Sequence, residues 1–187
     1  MDEALTRHRF TVEEYHRMGE VGILPDDCRI ELIAGDVVFR EPIGAYHAGT
    51  VDRLTRLWTS ILGERAVVRV QNPVELAEDD SEVQPDVTLL RPRTDFYTRG
   101  HPVAGDVLLL IEVADSSLVR DRRVKTPIYA RAGIREVWIV DLPGERVEIF
   151  RDPAAGGYRH VRSLGRGESV TSEAFPDLAV AISDLLG

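Results

Sequence analysis

The run Val107-Leu108-Leu109-Leu110-Ile111-Glu112-Val113 has the unbroken apolar character of a strand covered on both faces, interrupted by a single carboxylate. Other segments carry different periods. Thr11-Val12-Glu13-Glu14 matches a capping box and predicts a short helix through about Met18, ended by Gly19 and Gly22. Residues 29–40 read as a hairpin turning at Ala34-Gly35. Val51, Leu54, Leu57, Trp58, Ile61 and Leu62 recur at helical spacing, predicting a helix from near His47 to Leu62 with Gly63 as its C-cap. Strands are expected at 66–70 and, after an acidic loop, at Val87-Thr88-Leu89-Leu90; a polar loop at 91–105 then leads into the Glu112 strand.

Ser116 and Ser117 are N-cap candidates for a basic helix that carries Lys125 and ends at Gly133. Pro127 lies inside that helix and predicts a kink, or a restart capped by Thr126, because proline removes a hydrogen bond and crowds the preceding turn. Strands follow at 136–141 and 146–150, joined by Leu142-Pro143-Gly144-Glu145 as a type II turn, and a meander continues through Gly156-Gly157 into 158–161. The order predicts an α/β (α+β) fold: a mixed central sheet flanked by helices, with a C-terminal antiparallel meander.

At 187 residues and 43% hydrophobic content, the chain is expected to form one domain over residues 1–187. No apolar stretch approaches the roughly 18 residues that span a bilayer, and Met1-Asp2-Glu3-Ala4 lacks a basic-then-apolar signal pattern, so a cytoplasmic protein is expected. Cys28 is the single cysteine, which excludes an intrachain disulfide and a cysteine-based zinc site. The net charge of -9 argues against indiscriminate adhesion to nucleic acid. Its distribution is uneven: residues 75–86 hold six acids and no base, while residues 119–135 hold six bases against Asp121 alone.

Burying an unpaired acid is costly, so Glu112 is expected to meet a cation. Asp86, before the next apolar strand, and Lys125, in the basic segment, complete a set suited to metal-dependent phosphate chemistry. Carboxylates hold magnesium through hard oxygens, the Val113 carbonyl can add another, and a lysine can polarise water or stabilise developing charge. Each residue also has a plainer reading: Asp86 as a turn acid, Lys125 as a solvated base, Tyr129 as core packing, Asp141 as a strand end.

Gln84-Pro85-Asp86, Ile111-Glu112-Val113, Asp121-Arg122-Arg123-Val124-Lys125, 129–133 and 137–141, with Thr11–Tyr15, Ile30–Asp36 and His47, resemble the Uma-two family of restriction-endonuclease-type proteins in the PD-(D/E)XK nuclease superfamily. The resemblance implies Asp86 and Glu112 on adjacent strands as metal ligands and Glu31 as an accessory acid. Position 114, where that superfamily places its lysine, is alanine, so the resemblance nominates Lys125 on the following helix. Gln84 is a candidate for positioning water or metal, or for bonding a strand edge; His47 and Arg122 are candidates for contacting substrate phosphate. The implied function is a homodimeric DNA endonuclease using Mg2+ or Mn2+. Two alternatives stand beside it: a catalytically silent nucleic-acid or protein-binding module retaining the nuclease fold, and a small-molecule phosphoesterase.

Overall fold

The computed structural model describes residues 7–25 and 29–187; Cys28 and the Met1–Ala4 start lie outside them. Helix α1 (Val12–Glu20) begins at the expected capping box, with Thr11 Oγ1 accepting from the Glu14 N–H and the Glu14 carboxylate accepting from the Thr11 N–H. The hairpin β1 (Ile30–Ile33) and β2 (Asp36–Phe39) turns through Ala34 and Gly35, whose φ values of 49° and 78° are those of a type I′ connection. Helix α2 (Ala45–Leu62) starts two residues before His47 and ends at Gly63.

The acidic stretch is not a loop. It forms β4 (Val74–Leu76) and β5 (Ser81–Val83), which add to the hairpin in a four-stranded sheet of order β2-β1-β5-β4. Its acids conceal the strands because Ser81, Glu82 and Val83 are all buried, so pairing with β1 outweighs local polarity.

The larger sheet runs β10-β9-β8-β7-β6-β3, from β3 (Val67–Val70), β6 (Val87–Leu90), β7 (Val107–Ala114), β8 (Glu136–Asp141), β9 (Arg146–Ala154) and β10 (Gly157–Gly165). β7 is central, antiparallel to β6 and parallel to β8, which explains its unbroken apolar character. Ile111 and Val113 face α2, where Leu54, Trp58 and Trp138 form one core. Leu110 and Ala114 face the opposite way, onto Ile128 and Tyr129. Glu112 alternates with Ile111 and Val113 and thus joins this second face. Beyond β10, β11 (Ser169–Ser172) and β12 (Phe175–Ala181) make a separate ribbon, and α5 (Ile182–Leu186) packs into the α2 core. No helix among the described residues is long and apolar enough to cross a membrane.

The parallel β7–β8 connection is helical over 118–131: α3 (Leu118–Arg120), a π-helical turn (Asp121–Lys125) and α4 (Thr126–Arg131). Pro127 therefore causes no restart. The wide turn lets the Thr126 N–H and its hydroxyl both donate to the Asp121 carbonyl, and the backbone stays helical through Thr126. Ser117 holds the N-cap position as expected, but its hydroxyl donates to the Asp121 carboxylate rather than capping a backbone N–H. The 142–145 turn also departs from type II, since the positive φ falls on Glu145 rather than Gly144. Gly144 is required there for space: a Cβ would lie 2.7 Å from Asp141 Cγ.

Candidate active site

Asp86 precedes β6 and is 2% exposed. Its Oδ1 accepts from Arg40 Nη2 at 3.2 Å, His47 Nε2 at 3.1 Å and Gln71 Nε2 at 3.1 Å, and its Oδ2 accepts from the Val113 N–H at 2.9 Å. Burial pushes this carboxyl up, but His47, Arg40 and the amide outweigh it and hold Asp86 well below the usual carboxylate range. The same hydrogen bond raises His47.

Glu112 is buried and differently placed. Its Oε1 accepts from Lys125 Nζ at 3.1 Å and from the Tyr129 hydroxyl at 2.5 Å, while Oε2 makes no hydrogen bond among the described residues. Lys125 and Tyr129 lie four positions apart on the crossover helix, so both reach the same oxygen. Burial, with the nearby charges of Asp121 and Asp86, raises Glu112 to about 7 against the pull of Lys125. Lys125, 1% exposed, also donates to Glu31 Oε1 at 2.9 Å. Burial disfavours its charge, but the two carboxylates overcome that and keep it an ammonium.

A cavity of about 60 Å³ is lined by Arg40, His47, Asp86, Glu112, Asp121 and Lys125. Glu31 lies behind Lys125. Gln84 braces the wall: its N–H donates to Glu31 Oε1, its side chain donates to the Ile30 carbonyl, and its own carbonyl accepts from Arg40. Val113 meets Asp86 through its N–H. Arg122 is not brought here; it pairs with Glu148 and lies 3.8 Å from Asp141, on the far side of the crossover. Asp141 also accepts from the Gly144 N–H and Arg146, organising the following turn.

Arg40 and Asp121 are among the members that escaped the sequence reading. Arg40 is 3.2 Å from Asp86 and 3.8 Å from Glu31. The hairpin register contained its signal, because Glu31 pairs with Val38 and Arg40 lies two residues on, along the same face. Asp121, 3% exposed, is raised chiefly by burial and faces the cavity from the π turn. It was concealed as the one acid in a basic segment.

The donor set fits a hard divalent cation. Glu112 Oε2 and Asp121 Oδ1 make no hydrogen bond among the described residues, both residues line the cavity, and burial raises both carboxyls with the Asp86 charge adding to each, an imbalance that a cation relieves.

The chain is similar over 95% of its length to 97% of a crystallised protein from Anabaena variabilis described as "a putative nuclease belonging to DUF820", with a TM-score of 0.73 and 16% identity, a likeness of fold. A search of curated proteins finds no match. The profile of the Uma2 family, described as "Putative restriction endonuclease", matches residues 12–183, and with nearly the whole chain covered this protein belongs to that family.

Proposed function

We propose that the protein is a magnesium-dependent DNA endonuclease, one nuclease domain acting in the cytoplasm as a homodimer and hydrolysing phosphodiester bonds, with manganese able to replace magnesium. The observation that carries this reading is Lys125, a buried ammonium bonded to both Glu31 and Glu112 beside a cavity shared with Asp86. Asp86, Glu112 and Asp121 would hold the cation, which supplies charge neutralisation at phosphorus and acidifies a bound water. Lys125 keeps Glu112 and Glu31 oriented and holds positive potential at the cavity wall, where low dielectric strengthens it. Arg40 and His47 fix Asp86, and because both line the cavity they also offer donors to a substrate phosphate.

The test pairs cleavage with binding. Supercoiled plasmid and single-stranded DNA are incubated with the purified protein in magnesium and in manganese. We expect plasmid cleavage by the parent and at least about a hundredfold loss in Lys125→Ala, the scale of removing one positioned electrostatic group. Binding measured in calcium should change far less, since a lysine 1% exposed makes no free phosphate contact. Circular dichroism verifies that the variant is folded. A parent that binds DNA and cuts neither substrate in either metal would replace this reading with the silent binding module.

A further inference from the structure

We propose a second metal site, for a zinc-type divalent cation, formed by His16, Glu82 and His101 on the outer side of the four-stranded sheet. One ligand nitrogen or oxygen from each of the three lies within 4.8 Å of the others, the only such His/Cys/Asp/Glu group of three or more among the described residues. Three separate elements deliver them. His16 comes from α1 and Glu82 from β5, with His16 Nε2 and Glu82 Oε2 at 2.5 Å. His101 comes from the β6–β7 loop, anchored by the Glu75 N–H donating to the Pro102 carbonyl at 2.9 Å and by the bridge between Glu75 and Val103.

Glu82 is the residue that calls for a cation. Its side chain is 6% exposed, and among the described residues no lysine or arginine reaches it; the base beside it is an imidazole. The surrounding 75–86 stretch is acidic throughout, so the local field attracts cations and gives Glu82 no permanent counter-charge.

Two imidazoles and one carboxylate select the metal. Nitrogen donors suit zinc, nickel and cobalt, whereas magnesium favours oxygen, so this site and the Asp86–Glu112 cavity take different ions. Tetrahedral bonds of about 2.0–2.2 Å place ligand atoms roughly 3.4 Å apart. Binding therefore opens the His16–Glu82 contact and draws His101 inward. His16 is 39% exposed at its side chain and His101 is exposed, so both rings are free to rotate about a fixed Glu82. Three protein ligands leave one position open to water. Occupancy ties α1, β5 and the 91–105 loop together, two residues before the Gln84 that braces Glu31.

The experiment is titration of the metal-free full chain with Zn2+ by calorimetry in excess magnesium, alongside thermal melts and Co2+ absorption. The parent is expected to bind one zinc, melt higher with it, and give the visible absorption of low-symmetry cobalt. Glu112→Gln should bind zinc as the parent does, which separates this site from the cavity. His101→Ala alters an exposed loop residue and leaves the core intact; it should bind at least about a hundredfold more weakly, more than the loss of a residue that only supports a ligand, with no rise in melting temperature. His16→Ala should behave likewise. Absence of zinc binding in the parent, its loss in Glu112→Gln, or parental affinity in His101→Ala would overturn the proposal.

Discussion

Asp86 and Glu112 line one cavity yet stand in opposite electrostatic positions, and this determines what neutralising each does. Asp86 is the counter-charge of Arg40 and His47, so its ionised form is favoured by the fold. Its stabilising contribution is present above the unfolded value near 3.8 and is lost as pH falls below it. Asp86→Asn leaves the buried Arg40 guanidinium with less compensation and removes the acceptor of His47, and should lower stability in metal-free buffer by about 3 kcal/mol, measured by urea unfolding near neutrality. Glu112 has the reverse sign. Between 4.5 and about 7 the unfolded side chain has released its proton while the folded one retains it, so stability falls as pH rises through that window. Glu112→Gln removes this component. Relative to the parent it should gain stability from about pH 5 to about pH 8, by up to about 3 kcal/mol, at one pKa unit per about 1.4 kcal/mol. The same variant should lose magnesium affinity in calorimetry; unchanged binding would make Lys125 the sole cation that Glu112 serves.

At the scale of elements, local signals succeeded where the backbone itself creates the requirement. The α1 capping box, the Ala34-Gly35 turn and Gly133 after the crossover helix, with φ of 79°, all follow from unpaired N–H groups or left-handed backbone. They departed from the structure where a neighbouring group in the same segment intervened. Pro127 predicted a kink or a restart capped by Thr126; the Asp121 carbonyl accepts two bonds from Thr126 and the helix widens into a π turn instead of restarting. The Pro143-Gly144 pair predicted a positive φ on glycine, whereas the buried Asp141 carboxylate needs the space a side chain would fill. Gly144→Ala should accordingly destabilise the protein by roughly 1–3 kcal/mol through that clash, read as a lower denaturation midpoint. A neutral result would show that Asp141 can move away despite its bonds to Arg146 and the Gly144 N–H.

At the scale of the whole molecule, cutting both strands of a duplex is simplest with two related active sites, which the proposed two-fold dimer would supply. Sedimentation at increasing concentration should reveal a dimer, and plasmid should become linear with little accumulation of the nicked form; a monomer that only nicks would confine the activity to one strand. The sequence alone was sufficient for the central strand order of events: an apolar strand with Glu112 inside it, Asp86 before its neighbour, and a helical crossover carrying Lys125. Burial is written into such runs, because a carboxylate among aliphatic residues is costly unless it is paired, hydrogen-bonded or protonated. Three things were decided by the tertiary structure. Arg122 turns to Glu148 rather than to the cavity; Arg40 and Asp121 enter it; and the acidic 75–86 stretch becomes strands that carry Glu82 to His16 and His101. A charge written in sequence has no direction. Which ion pair forms depends on strand register and on which face a helix turns to the sheet, and those are set by packing between segments as distant as His16 and Glu82, 66 residues apart.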